Sequence, residues 1–276
     1  MTYKTILVHV DNGKRSPARV EVAAELAGRF DAHLVGLHAV TPPEARAYRT
    51  IAAGPAVIED QRQRGLEQAK QAETLFRRAV DKAGVRDAEW RASSGDPVAG
   101  AALHSRYADL VVLGQPDLQD DSDVEPAFAQ RLVLMAGRPA LVVPYIGPAS
   151  TLGKRVLLAW SATREATRAA TDALPFLQAA DEVWVVIVRP SRASHGELPG
   201  ADIGLYLARH GVKVQVEAIE GTEIDAGNQL LSRAADRSSD MIVMGAYGHS
   251  RFSEMVLGGA TRKIFESMTV PVLMSH

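Results

Sequence analysis

The chain contains no cysteine, which excludes disulfides, zinc–thiolate sites, iron–sulfur clusters and a cysteine nucleophile. Aromatic residues fill only 5% of the 276 positions, too few for the aromatic-rich interior of a β-sandwich. An excess of one charge is missing as well. Lys and Arg number 31 against 33 Asp and Glu, a formal net charge of −2, so no global field draws the protein to nucleic acid or to an anionic membrane. No apolar run approaches the ~18 residues of a membrane helix. The opening MTYKTILVHVD enters a strand-like segment without a signal-peptide pattern. These absences lead to the expectation of a soluble, cytoplasmic protein with no nucleic-acid or membrane partner. Catalytic patterns are absent too: there is no G-x-S-x-G, no H-E-x-x-H and no paired nucleophile and base. No catalytic residue and no metal ligand is therefore assigned.

What is present points to organisation. Hydrophobic residues make up 46% of the chain, mostly Ala, Val and Leu, which favours helices packed on sheets. A length of 276 residues favours two domains over one. The chain also repeats itself. KTILVHVD (4–11) resembles KRVLLAWS (154–161), RYADLVVLG (106–114) resembles RSSDMIVMG (237–245), and RPALVVP (138–144) resembles VPVLMSH (270–276). Three pairs in the same order argue for a duplicated unit, joined through YIGPASTLG (145–153), whose small residues, Gly and Pro suit a linker. The domains are expected at 1–147 and 152–276.

Within the first unit, unbroken apolar runs alternate with helical patterns. TILVHV, AHLVGLHAV, AEWRAS, DLVVLG and ALVVP read as strands. Residues 16–30 read as a helix with Ser16 as N-cap and Pro17 in its first turn. Residues 57–84 read as a long amphipathic cover ending at Gly84, and Asp96 caps a third helix. Strands apolar on both faces imply a parallel sheet between helices. The fold class is thus α/β: two tandem doubly wound domains, each a five-stranded parallel sheet flanked by helices. In the second unit a polar loop, 189–200, and the shorter ADIGLYLARHG replace the long helix. His9 and His38 fall inside apolar strands and read as satisfied interior residues. The acidic residues Asp117, Asp120, Asp121, Asp123 and Glu125 lack calcium-loop spacing and read as a solvated loop.

The stretch GAYGHSRFSEMVLGGATRK (245–263) stands directly after a strand, where ligands of such sheets bind. Its spacing is Gly245-x2-Gly248-x9-Gly258, followed by Gly259, Ala260 and Thr261 at the expected start of a helix. Free amides at a helix N-terminus form an anion site. Ser250 and Thr261 offer hydroxyls, and Arg251 or Arg262 offers charge. The glycines read equally as turn and packing residues, since they match neither the Walker pattern nor the compact dinucleotide fingerprint.

The ILVHVD opening, GDP before the third helix, ADLVVLG and SDMIVMG, the glycine segment and the terminal VPVLM together resemble the universal stress protein family, and the whole chain resembles its tandem members. The resemblance implies an adenine-nucleotide α-hydrolase-like fold and a regulatory, stress-response role, with ATP, with or without Mg²⁺, as ligand. It places the triphosphate on Gly245, Gly248 and Gly258, with Gly259 where the family has Ser or Thr, and His249, Ser250, Ala260 and Thr261 alongside. Ser161 stands where the family carries an aspartate near the ribose. The first unit keeps that aspartate as Asp11 but has only Gly114 of the glycine pattern, beside an acidic loop that repels phosphate, and is expected to bind no nucleotide. The resemblance further implies pairing of the two domains through their fifth strands as an internal pseudo-dimer, with a homodimer as a further option. Such a protein is a binding protein, at most a slow ATPase. The alternative is an interaction scaffold with decayed pockets that needs no nucleotide; a third reading, a flavoprotein of the electron-transfer type, has no sequence support for a flavin partner.

Overall fold

The strongly apolar runs form strands buried on both faces, whereas AEWRAS forms a half-exposed strand. In the computed structural model, residues 2–40, 55–93, 95–117, 119–120, 124–147, 151–190, 197–220, 224–248 and 259–276 are described. They fall into two units, Tyr3–Arg138 and Pro139–His276.

The first unit runs β1 (Thr5–His9), α1 (Ser16–Phe30), β2 (His33–Ala39), α2 (Pro55–Ala83), β3 (Ala88–Ser93), α3 (Pro97–Ser105), β4 (Leu110–Gly114) and α4 (Phe128–Met135). Its strands lie in the order β3-β2-β1-β4, parallel throughout. The chain leaves β1 toward β2 on one side and later returns to β4 on the other, which opens a crevice at the carboxyl ends of β1 and β4. The long helix read over 57–84 spans Pro55–Ala83, and Gly84 at φ 66° stops it.

The second unit contains β5 (Ala140–Val143), β6 (Arg155–Ala159), α5 (Arg164–Asp172), α6 (Leu174–Ala179), β7 (Glu182–Val188), α7 (Ala201–Arg209), β8 (Val214–Ile219), α8 (Ala226–Asp236), β9 (Met241–Gly245), α9 (Gly259–Ser267) and β10 (Val272–Ser275). The strand order is β5-β10-β9-β6-β7-β8. All neighbours are parallel except β5 and β10, which run antiparallel with Val142 opposite Val272 and Ala140 opposite Met274. The same reversal of direction opens a crevice between β6 and β9.

The repeated aspartate of ADLVVLG and SDMIVMG has one structural task in both units. Asp109 Oδ2 accepts the N–H groups of Lys4 and Thr5 at 2.7 and 3.0 Å. Asp240 Oδ1 accepts those of Lys154 and Arg155, both at 3.0 Å. Each carboxylate ties the first amides of a central strand to the start of its neighbour. Asp96 caps α3 as its spacing predicts, accepting from Ala99 N–H at 2.7 Å. Ser16 does not cap α1: Arg15 holds the N-cap position without a side-chain bond. The Ser16 hydroxyl is instead turned inward, accepting from Asp11 N–H at 3.2 Å and Arg19 at 3.0 Å. His9 and His38 are interior residues, bonded to the carbonyls of Ala39 and Val10 at 2.9 Å each. Among the described residues, no helix is long and apolar enough to cross a membrane.

Candidate functional site

At the carboxyl ends of β6 and β9 the second unit has a cavity of about 150 Å³, reached by Ser161, Gly245, Gly248, Gly259, Ala260 and Thr261. Six of the residues expected at a ligand site are thus brought together from three separate segments of the chain. His249, Ser250 and Gly258 lie outside the described residues. The lining also includes the apolar Ala159, Val186, Val188, Leu230 and Met244, together with Trp160 and Tyr247.

Helix α9 starts at Gly259, so the cavity meets its first turn, where backbone N–H groups have no intrahelical acceptor and the helix dipole is positive. A Cβ placed on Gly259 meets nothing within 4 Å, so a side chain fits at this position. Thr261 is 3% exposed, and its Oγ1 accepts the Tyr247 N–H at 3.3 Å, which ties the end of β9 to the start of α9. Arg262 faces along its own helix to Glu266 at 2.8 Å, and Arg251 lies outside the described residues.

The glycines at the strand end have a different reason to be glycine. A Cβ on Gly245 would lie 2.5 Å from the Ala166 nitrogen and 2.6 Å from the Glu165 carbonyl carbon. The backbone of α5 therefore crosses directly over Gly245. A Cβ on Gly248 would lie 2.8 Å from Thr163 Oγ1 and 3.0 Å from Glu165 Oε2. Positive φ is taken by Tyr247, at 62°, rather than by either neighbouring glycine. Burial pushes the Tyr247 phenol well above its ordinary pKa.

Two residues not singled out in the sequence complete the polar edge. Thr163 caps α5, its Oγ1 accepting from Ala166 N–H at 3.3 Å, and Ser161 Oγ lies 3.2 Å from the same Oγ1. Glu165, in the first turn of the helix, is 5% exposed. Burial would raise its carboxyl, but hydrogen bonds from Arg164, from its own N–H and from Thr163 outweigh that and hold it below the usual range. The signal available was a threonine before a helical pattern with an acid in the first turn. That pattern does not distinguish a buried acid from an exposed one.

The first unit has a cavity of about 190 Å³ at the matching place, lined by His9, Asp11, Arg19, Gly114 and Gln115 and by the acids Asp117, Asp120 and Glu125. Asp11 does not face it free. Arg19, 5% exposed, binds Asp11 Oδ2 at 2.8 Å and the His9 carbonyl at 2.7 Å. Burial alone would raise the Asp11 carboxyl; the Arg19 charge, helped by His9 and the Gly13 N–H, overrides it and holds the pKa at about 2. A Cβ on Gly114 would lie 2.3 Å from Arg19 Nη1, so the guanidinium fills the space the glycine leaves. Asp120 Oδ2 accepts the Lys14 N–H at 2.8 Å just ahead of α1. No group of residues able to hold a metal ion occurs among the described residues.

Comparison with known proteins places this geometry. The model of the Universal stress protein family matches residues 2–144 and again residues 153–276. A curated relative, Universal stress protein Slr1230 from Synechocystis, is 33% identical over 67 residues, 24% of this chain and 22% of the relative. The chain therefore spans less than a quarter of that relative's length. The crystal structure of a universal stress protein from Archaeoglobus fulgidus is similar over 98% of this chain and 95% of its own, with a TM-score of 0.74 at 17% identity. A functionally unknown protein from Pseudomonas aeruginosa, PA1789, is similar over 99% of this chain and 92% of its own, with a TM-score of 0.58 at 14% identity.

Proposed function

We propose, from the premise that this chain belongs to the universal stress protein family, that it is a cytoplasmic stress-response protein that binds ATP through its second domain, 152–276, and acts by regulation rather than metabolism. One observation carries the reading: the first turn of α9, at Gly259, Ala260 and Thr261, shares a cavity with the carboxyl ends of β6 and β9. The helix start suits an anionic tail, and the apolar lining of Val186, Val188, Leu230 and Met244 suits a flat heterocycle. A cavity of about 150 Å³ holds part of a nucleotide and leaves the remainder at its mouth. The first domain, 1–147, binds no nucleotide on this reading, because Arg19 already occupies its carboxylate.

Isothermal titration with ATP and Mg²⁺ tests the reading. Heat of binding is expected, and it should vanish in Gly259→Val, which places a side chain at the start of α9. Absence of heat, together with no thermal shift at millimolar ATP, removes ATP as the ligand.

A second reading is an interaction scaffold that needs no nucleotide. The observation favouring it is the division of the site: the first domain keeps a carboxylate without the glycines, and the second keeps glycines with Ser161 in place of the carboxylate. Nucleotide copurifying with the protein would count against it. For assembly, we propose that the fifth strands of the two domains pair as an internal pseudo-dimer, a reading supported by the antiparallel register of β5 and β10.

A further inference from the structure

Four large apolar side chains of the first unit stay in solvent around the ends of two helices. Leu103 and Tyr107 stand on and just after α3, Leu134 and Met135 at the end of α4, and they are between 36% and 73% exposed. The two helices pack on each other. Arg138 Nη2 donates to the Arg106 carbonyl at 3.0 Å, which ties their carboxyl ends together. The second unit provides an internal comparison. Its α8 matches α3 from the capping aspartates, Asp225 and Asp96, through buried Leu230 and Ala101 to buried Ala234 and Ser105. Its α9 matches α4 through the buried pairs Ile264–Phe265 and Leu132–Val133. On those registers Leu103 corresponds to Ser232, Tyr107 to Ser238, Leu134 to Glu266 and Met135 to Ser267. The fold is satisfied by polar residues at all four positions, so the apolar choice in the first unit needs another cause, and contact with a partner is the ordinary one.

We propose that this patch on α3 and α4 is the docking surface for a short acidic amphipathic segment of a partner protein. Charge decides the sign of the occupant. Arg106 and Arg138 follow the two helices, both exposed, and neither has a carboxylate partner among the described residues. Asp109, the nearest acid in sequence, is occupied by the Lys4 and Thr5 amides, and Glu125 pairs with Arg131 from the other end of α4. A segment with Asp or Glu beside an apolar stripe meets both features at once. A second copy of the chain does not. An isologous contact would set the same two arginines against each other, and four partly covered side chains present well under the ~800 Å² per partner of a stable dimer. Two guanidiniums also fall short of the roughly four to eight basic residues that mark an anionic-membrane site.

None of the four apolar residues lines either strand-end cavity, so the proposal is independent of the nucleotide reading. Fluorescence anisotropy with two labelled peptides of about 15 residues, long enough for a helix to form on docking, tests it. Both carry leucine at helical spacing on one face; the other face is glutamate in one peptide and lysine in its twin. The acidic peptide should bind the wild-type chain, and the basic twin about tenfold more weakly or less. Installing the second unit's residues together, Leu103→Ser, Tyr107→Ser, Leu134→Glu and Met135→Ser, should weaken the acidic peptide by about tenfold or more while thermal melting stays cooperative. Arg106→Glu, which leaves the apolar residues in place, should weaken the acidic peptide and strengthen the basic one. Absence of binding by the acidic peptide, equal binding by the two twins, or unchanged affinity in these variants overturns the proposal. Dimerisation that the four-residue variant abolishes assigns the patch to a second copy, and sedimentation with phosphatidylserine vesicles that it abolishes assigns the patch to a membrane. Either result overturns the proposal as well.

Discussion

Arg19 and Asp11 form an ion pair of 2.8 Å with both residues buried. The pair sits where the second unit has Ser161 in place of the aspartate. The glycines that end β4 and β9 consequently accommodate different neighbours: Gly114 the Arg19 guanidinium, Gly245 the backbone of α5. Duplication preserved the strands and the glycine while the groups packed against them diverged.

Removing one member of this pair should be costly. Arg19→Met leaves a buried carboxylate without its cation and should destabilise the protein by about 3–5 kcal/mol, whereas Arg19→Met with Asp11→Leu should recover most of that loss. Urea denaturation of the single and double variants measures both. Equal destabilisation in the two would mean that the pair contributes through packing rather than charge.

His9 supplies a pH dependence. Burial, with Arg19 and His38 adding to it against the pull of Asp11, lowers its pKa from 6.5 to about 4. The unfolded chain then takes up a proton near pH 6.5 while the folded protein resists until about pH 4. Stability is therefore full above pH 6.5 and falls as the pH drops through that window, by at most about 3 kcal/mol. Asp11 extends the loss below its ordinary 3.8 toward its folded value of about 2. Denaturation midpoints from pH 7.5 to 4.5 should decline in the wild type and flatten in His9→Gln, whatever the overall stability of that variant.

The glycines separate packing from ligand binding. Gly245→Ala pushes a methyl against the α5 backbone and should cost about 1–3 kcal/mol, as overpacking does. Gly259→Ala points its methyl into open space within a helix and should leave stability unchanged or raise it by about 0.5–1 kcal/mol. Thermal melting of the two variants decides this, and a reversal of their order would contradict the close crossing of α5 over Gly245.

Much of the fold was legible because its signals are local. Period and burial were read from runs such as TILVHV and DLVVLG, and the duplication from three pairs of similar strings. The site was legible only in part. The glycine segment marked the right end of the right strand, but the steric demand on Gly245 comes from Ala166, in a helix encoded far earlier in the chain. Ser16 looked like a cap because a serine before Pro17 usually is one; its hydroxyl is claimed by Asp11 and Arg19, which only the folded chain brings to it. Glu165 was invisible for the same reason. An acid in a first turn is ordinarily solvated, and its burial against Gly248 follows from the crossing of α5 and β9.

The absence of cysteine makes the pairing of β5 and β10 directly testable. Ala140 and Met274 are opposite one another and fully buried, and residues so placed in an antiparallel pair have Cα atoms about 4.5–5.5 Å apart, within reach of a disulfide. Ala140→Cys with Met274→Cys should therefore oxidise within one chain, giving a species that runs as a monomer on a non-reducing gel and has lost its free thiols. The neighbouring pair, Leu141→Cys with Leu273→Cys, points to the other face and alternates in hydrogen-bonding type, so one of the two pairs should close faster. If oxidation instead yields covalent dimers at low protein concentration, the strands pair between chains. The fifth-strand contact would then build a homodimer in place of an internal one.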